Sequence, residues 1–105
     1  MKFDFKKVIK KPIIVEAFEV TKEFISQFSK LTIVGNINKN ETMIGYVNNL
    51  EVKNEQLIVK TLEGDMKCNI GDFVIKGVRG EFYPCRRDIF LETYNFLSEK
   101  ELLEV

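Results

Sequence analysis

Alternation of hydrophobic and polar residues predicts β-strands over much of this chain. The clearest pattern covers residues 56–62, which are mainly apolar and β-branched. Glu63-Gly64 then predicts a tight hairpin to residues 65–70. Alternation along that second strand points three residues inward: Met66, Cys68 and Ile70. Similar patterns predict further strands over 13–20, 32–35, 42–47, 73–76 and 81–84.

Helical spacing occurs in two places, and a capping signal marks a third. Thr21 is a good N-cap for a helix over residues 22–30, in which Phe24, Ile25 and Phe28 share one face. Residues 86–94 can form one or two helical turns that bury Ile89 and Phe90. Ser98 and Glu101 have the spacing of a capping box, with Leu97 and Leu102 as a hydrophobic staple, which predicts a short helix over 99–104.

Glycine and asparagine mark the predicted turns and loops. Turns are expected at Asn48-Asn49 and at residues 53–55, and a loop is expected over 36–40. We expect Gly71, Gly77 and Gly80 to supply positive φ in turns. They do not open a helix after a buried parallel strand, which is the context that phosphate-binding loops require.

These elements predict a small α+β domain. Its strands, six or seven in number, would form a mostly antiparallel sheet or half-barrel, with one helix in the N-terminal half and short helical turns near the C-terminus. The 105 residues suit a single domain, 1–105. Residues 1–10 are expected to form a flexible basic arm, and residues 98–105 a mobile short helix.

Composition narrows the classes of function. The 16 basic and 16 acidic residues cancel, so general nucleic-acid binding is not expected. The chain has no histidine, which removes His-based acid–base catalysis. The nine phenylalanines are expected to fill the core. Neither a membrane span nor a signal peptide is visible, so a cytoplasmic location is expected.

Few residues carry candidate chemistry, and no cofactor or catalytic residue is predicted. Four carboxylates lie at or near turns and could form an acid/base pair or a metal site if they converged: Glu63, Asp65, Asp72 and Glu81. Hydrogen bonding at turns and solubility are the favoured interpretation of these carboxylates. Two arginines follow Cys85 and could lower its thiol pKa, but without a general base a structural thiol is favoured. Cys68 is interpreted in the same way.

A binding patch is predicted near the end of the last hairpin. Glu81 and Tyr83 share one face of the strand over 81–84, and arginines lie on either side of it in sequence. Arginine recognises phosphates and carboxylates bidentately, and tyrosine adds a stacking face. The predicted ligand- or partner-binding residues are Arg79, Glu81, Tyr83, Arg86 and Arg87. Pairing between arginine and glutamate within the hairpin is the alternative interpretation.

Several segments together resemble a family of small uncharacterised phage and prophage proteins. They are Lys10–Phe18, Thr61–Met66, Gly71–Cys85, Asp88–Phe90 and Thr93-Tyr94. The chain is also similar to the bacterial domain named for a Pro-Gly-Asp-Tyr-Gly motif, where it has Ile70-Gly71-Asp72-Phe73-Val74. The first resemblance implies a phage or prophage accessory protein in the bacterial cytoplasm, and such proteins often act by binding.

The expected function is therefore non-catalytic binding. The partner would be a host or phage protein or a small anionic, nucleotide-like ligand, with counter-defence as one setting. Two alternatives stay open. One is a small metal-assisted enzyme acting on a nucleotide or similar metabolite, and the other is a structural or assembly component of the virion.

Overall fold

A computed structural model describes residues 2–34, 48–98 and 100–101, with the backbone alone for 31–34. It confirms the predicted α+β class. The elements in chain order are β1 (Glu16–Glu19), α1 (Lys22–Val34), β2 (Leu50–Lys53), β3 (Gln56–Thr61), β4 (Gly64–Cys68), β5 (Phe73–Lys76), β6 (Phe82–Cys85) and α2 (Arg87–Thr93). Within these ranges, no helix has the length and hydrophobicity needed to cross a bilayer.

The six strands form two open antiparallel sheets of three strands each. One sheet has the order β1-β5-β6, and the other has the order β2-β3-β4. In the first, Phe18 of β1 lies opposite Val74 of β5, and Ile75 of β5 lies opposite Tyr83 of β6. Consecutive strands β2, β3 and β4 are joined by tight turns, so the second sheet is local in sequence, whereas the first brings β1 beside a strand more than fifty residues later.

The larger hydrophobic core lies between the two sheets and α1. Each element contributes apolar side chains from one face, and the buried members are Val20, Ile25, Phe28, Leu50, Leu57, Val59, Cys68, Val74 and Phe82. The rings of Phe18 and Phe24 pack at the edge of this core with centroids 4.8 Å apart. Both sheets and the first helix therefore share one buried interior.

A smaller core covers the opposite face of the first sheet. Phe73 and Ile75 of β5 pack against Phe90 of α2, and the rings of Phe73 and Phe90 are stacked with centroids 3.9 Å apart. Val74 points the other way, into the larger core. Strand β5 is consequently buried on both faces, which is why residues 73–75 read as a continuous apolar run instead of an alternating one.

Helix α1 begins as its sequence predicts and continues further. The Phe24 backbone N–H donates a hydrogen bond to Thr21 Oγ1 at 3.0 Å, which confirms the N-cap. The helix extends to Val34, so the strand predicted over 32–35 is wrong. The last three residues of the helix, Thr32, Ile33 and Val34, are β-branched. Because β-branched residues lower helix propensity only slightly, they did not end a helix that was already formed.

Strand boundaries and inward residues differ in part from the alternating pattern. Strand β1 is confined to Glu16–Glu19, and Ile13 and Ile14 before it are exposed. Cys68 is buried as expected, but Met66 is 46% exposed because β4 is an edge strand. Ile70 is exposed because it lies in the turn after β4, where alternation no longer applies.

The C-terminal helical turns bury one predicted residue and expose the other. Phe90 of α2 is buried, whereas Ile89 is 47% exposed because the short helix contacts the sheet along one side only. The capping box is confirmed, since Ser98 and Glu101 exchange hydrogen bonds of 3.2 Å between each side chain and the other backbone N–H. The loop over 36–40, the strand over 42–47 and the staple residue Leu102 lie outside the described residues.

Turn glycines follow the prediction at two of three positions. Gly71 and Gly80 have φ of 96° and 80°, whereas Gly77 does not have positive φ. Asn48 and Asn49 are helical, so the turn predicted there is wrong. The turn after β2 is confirmed, and its two central residues, Asn54 and Glu55, have φ of 53° and 61°.

Replacing Glu55 with glycine should stabilise the protein. A non-glycine residue in the left-handed region costs about 1–2 kcal/mol, and glycine offsets part of that gain by about 0.5–1 kcal/mol of extra unfolded-state entropy. We expect Glu55→Gly to raise the free energy of unfolding by roughly 0.5–1 kcal/mol in urea titrations. Asn54→Gly is the matched control and should gain less, because asparagine tolerates positive φ. A destabilised Glu55→Gly variant would contradict this account of the turn.

Candidate functional site

A cleft of about 350 Å³ opens beside the smaller core. Its walls come from four parts of the chain: the segment before β1, the turn between β5 and β6, strand β6, and the end of α2. The lining residues are Lys10, Lys11, Pro12, Ile13, Val15, Gly77, Val78, Glu81, Tyr83, Thr93 and Tyr94. We call it the basic aromatic cleft, after its two lysines and two tyrosines.

Docking of α2 onto the sheet positions Tyr94. The ring of Tyr94 stacks on that of Phe90 with centroids 5.0 Å apart, so the packing of Phe90 on β5 fixes the tyrosine. Lys10 Nζ lies over the Tyr94 ring, 5.1 Å from its centroid, which is within cation–π distance. The segment before β1 is thereby joined to the end of α2, although more than eighty residues separate them in sequence.

Tyr83 supplies a neutral hydroxyl to the cleft. Its side chain lies on the α2 face of β6, packed against the smaller core. Burial, a hydrogen bond with the Tyr94 side chain and the negative charge of Glu81 raise the pKa of Tyr83 to about 12. The phenol is therefore protonated at neutral pH and can act as a hydrogen-bond donor.

Glu81 lines the cleft but is held by the neighbouring turn. Its Oε2 accepts a hydrogen bond from the Arg79 backbone N–H at 3.0 Å. A Cβ atom on Gly77 would fall on the Glu81 carboxylate, so a larger residue at 77 would displace the Glu81 side chain from its present position. Glu81 and Tyr83 do share a face, as predicted.

The three arginines of the predicted patch do not meet in the cleft. Arg79 contributes its backbone to the Glu81 contact, and its side chain is exposed. Arg86 is exposed and pairs with Asp88 at 2.9 Å, within the first turn of α2. The structure therefore places two of the five predicted residues, Glu81 and Tyr83, in one site, with Arg79 beside them.

Arg87 points to another side of the molecule, where it has a structural role. Its guanidinium pairs with the Glu19 carboxylate and donates to the Gly71 carbonyl oxygen at 3.3 Å. It also lies over the ring of Phe73, 5.7 Å from the centroid. The Arg87 backbone N–H donates to Asp72 Oδ1 at 3.1 Å. Arg87 thus ties the start of α2 to the end of β1 and to the turn before β5.

The two thiols are not activated. Burial, followed by the negative charge of Asp72, raises the pKa of the Cys68 thiol to about 12. Burial also raises the pKa of Cys85, with added contributions from Asp72 and Asp88 that outweigh the opposing effect of Lys10. The neighbouring arginines do not lower the Cys85 pKa, because their guanidinium groups pair with Asp88 and Glu19.

The four turn carboxylates do not form a metal centre in the described part of the chain. Glu63 and Asp65 are exposed at the β3–β4 hairpin, whereas Asp72 and Glu81 each accept a backbone hydrogen bond elsewhere. Among residues 2–30, 48–98 and 100–101, no three Asp, Glu or Cys side chains come together in a way that could hold a metal ion.

Sequence reasoning missed Lys10, Lys11 and Tyr94 as site residues. Lys10 belongs to the predicted basic arm over residues 1–10, Lys11 follows it, and Tyr94 ends the helical turns predicted over 86–94. All three belong to the segments that carry the family resemblance, which was the available signal. Comparison with protein-family models, curated proteins and solved structures finds no match to the chain.

Arg87→Ala should destabilise the protein, while Arg86→Ala should not. The Arg87 contacts join three elements, but the side chain is half exposed and screened by water, so we expect a loss of about 1 kcal/mol. The Arg86 side chain pairs with Asp88, a nearby exposed residue, and its removal should be close to neutral.

Urea unfolding of both variants at low and high salt tests this assignment. The loss of unfolding free energy caused by Arg87→Ala should shrink as salt increases, because the lost charge pair is accessible to counterions. Equal midpoints for the two variants at low salt would show that Arg87 does not hold α2 in place.

Proposed function

We propose that this protein is a phage or prophage accessory protein that binds a small anionic, ring-bearing ligand of nucleotide type in the basic aromatic cleft. The observation that carries the proposal is the convergence of Lys10, Lys11, Tyr83 and Tyr94 in one concave site. Ligand sites in proteins are typically concave and largely apolar, with a few convergent polar groups.

The lining groups define the ligand's chemistry. Lys10 and Lys11 supply two positive charges for phosphate or carboxylate groups. The hydrogen-bonded hydroxyl groups of Tyr83 and Tyr94 offer neutral polar contacts, and Pro12, Ile13 and Val78 offer apolar surface for a ring or sugar. The flexible Lys10 side chain can move off the Tyr94 ring, so that a ligand ring stacks there instead. The Lys10 ammonium group can then pair with the ligand's anionic group.

Binding without turnover fits these same groups. Tyr83, with its pKa near 12, is a poor general base at neutral pH. The Glu81 carboxylate is engaged with the Arg79 backbone, and the Cys85 thiol is not activated. The cleft therefore offers recognition groups without an activated nucleophile beside them.

The family resemblance supplies the biological setting of the proposal. A small phage protein that holds a nucleotide can remove it from a host process that uses it as a signal, so we propose sequestration as the mode of action and counter-defence as the setting. Fold alone does not assign this role, and the chemistry of the cleft is its support.

Replacing both cleft lysines should weaken nucleotide binding. Isothermal titration of the purified chain with a panel of probes (a nucleoside, its monophosphate, a cyclic dinucleotide and inorganic phosphate) identifies the preferred class. For the tightest-binding probe, Lys10→Ala with Lys11→Ala should weaken binding by about tenfold or more, because two charge-assisted contacts are lost. Added salt should also weaken binding to the wild-type chain.

Lys60→Ala with Lys67→Ala is the matched control, since both lysines are exposed on the other sheet and remove the same charge. Equal losses in the two double variants, or no binding of any anionic probe by the wild-type chain, would overturn the proposal. Recovery of a chemically altered probe after incubation would overturn its non-catalytic part.

A further inference from the structure

The N-terminal arm, residues 2–9, carries apolar side chains that nothing within the described chain covers. Phe3 and Phe5 are 74% and 89% exposed, and Val8 and Ile9 are exposed as well. The rings of Phe3 and Phe5 lie beside each other, with centroids 6.1 Å apart. Phe3 and Phe5 do not fill the core as predicted for the phenylalanines of this chain, and their apolar surface stays in contact with water.

A groove with complementary properties lies between the β3–β4 hairpin and β6. Its volume is about 370 Å³, and its lining includes Leu62, Glu63, Met66, Glu81, Tyr83 and Pro84. Leu62 is 88% exposed and Met66 46%, so the groove is open and its apolar surface faces water. Two carboxylates, Glu63 and Glu81, stand at this surface.

We propose that the arm of a second copy of this chain binds in this groove, and that two copies exchange arms to form a closed dimer. The exposed rings of Phe3 and Phe5 match the apolar lining of the groove. The arm also carries Lys2, Lys6 and Lys7 against a single Asp4, whereas the groove lining carries two carboxylates, Glu63 and Glu81, and no lysine or arginine. Opposite charge at an interface fixes partner and register.

A second copy is the occupant because this chain contains both halves of the contact. Reciprocal exchange covers both exposed arms and fills both grooves, and it closes at two copies, as most homo-oligomers do. Glu81 and Tyr83 line both the groove and the basic aromatic cleft. The substitutions that test the exchange are therefore placed at Phe3, Phe5 and Glu63, which do not line the cleft.

Sedimentation velocity of the full chain over a wide concentration range tests the exchange. The wild-type chain should reach a dimer. Phe3→Ser with Phe5→Ser, which alters the arm, and Glu63→Lys, which alters the groove, should each shift the equilibrium at least tenfold towards monomer. Leu91→Ser is the matched control, because Leu91 is an exposed apolar residue outside both surfaces, and it should leave the dimer unchanged.

A mixture of the arm variant with the groove variant gives a second, sharper test. Each variant alone has lost the contact, but the mixture contains an intact arm on one chain and an intact groove on the other. A heterodimer should therefore reappear, weaker than the wild-type dimer. All changed side chains lie outside both hydrophobic cores, so circular dichroism should show unchanged folding.

A wild-type chain that stays monomeric at every concentration would overturn the proposal. So would open-ended oligomers in place of a dimer, or a dimer that survives both the arm and the groove variants. Because the variants leave the lysines and tyrosines of the cleft intact, probe binding is measured on the same samples, and failure of one proposal is distinguishable from failure of the other.

Discussion

The rest of the structure depends on the burial of β5 on both faces. Val74 closes the larger core against the second sheet and α1, while Phe73 and Ile75 close the smaller core against α2. These three residues are between 0% and 3% exposed, and the ladder to β1 and β6 satisfies the backbone polar groups that burial takes out of water. One four-residue strand thus contributes buried residues to both cores.

The basic aromatic cleft is a consequence of that arrangement. Phe90 stacks on Phe73, Tyr94 stacks on Phe90, and Lys10 lies over Tyr94, so a chain of ring contacts runs from β5 to the mouth of the cleft. Arg87 holds the other end of α2 against β1 and the turn before β5. The groups proposed to bind a ligand are therefore placed by packing around β5, even though they come from opposite ends of the sequence.

Local features were predictable from the sequence because local physics determines them. The Thr21 cap, the Ser98–Glu101 capping box and the hairpin from β3 to β4 each depend on residues a few positions apart. Long-range features were not, since periodicity does not report which distant segments pack together. The sequence pattern gave no indication that Lys10 meets Tyr94 or that Arg87 reaches Glu19. The predicted patch therefore grouped three arginines that the fold separates. The contact between Gly77 and Glu81 was not predictable either, although the two residues are close in sequence. It depends on the conformation of the Glu81 side chain.

Docking of α2 on β5 builds the cleft, and the ionisation of Tyr83 reports on that docking. Its pKa near 12 in the folded chain exceeds the ordinary value of 10.0, so this contribution to stability is complete below pH 10 and is lost as the pH rises towards 12. The decisive measurement is an NMR titration of the Tyr83 ring, which separates it from the other two tyrosines, in the wild-type chain and in Phe90→Leu, with amide exchange recorded on both. Phe90 does not line the cleft, yet its loss should loosen α2 and move the Tyr83 pKa towards 10, while β2–β4 keep their protection. A Tyr83 pKa that stays near 12 in a Phe90→Leu variant whose α2 amides exchange freely would contradict the account.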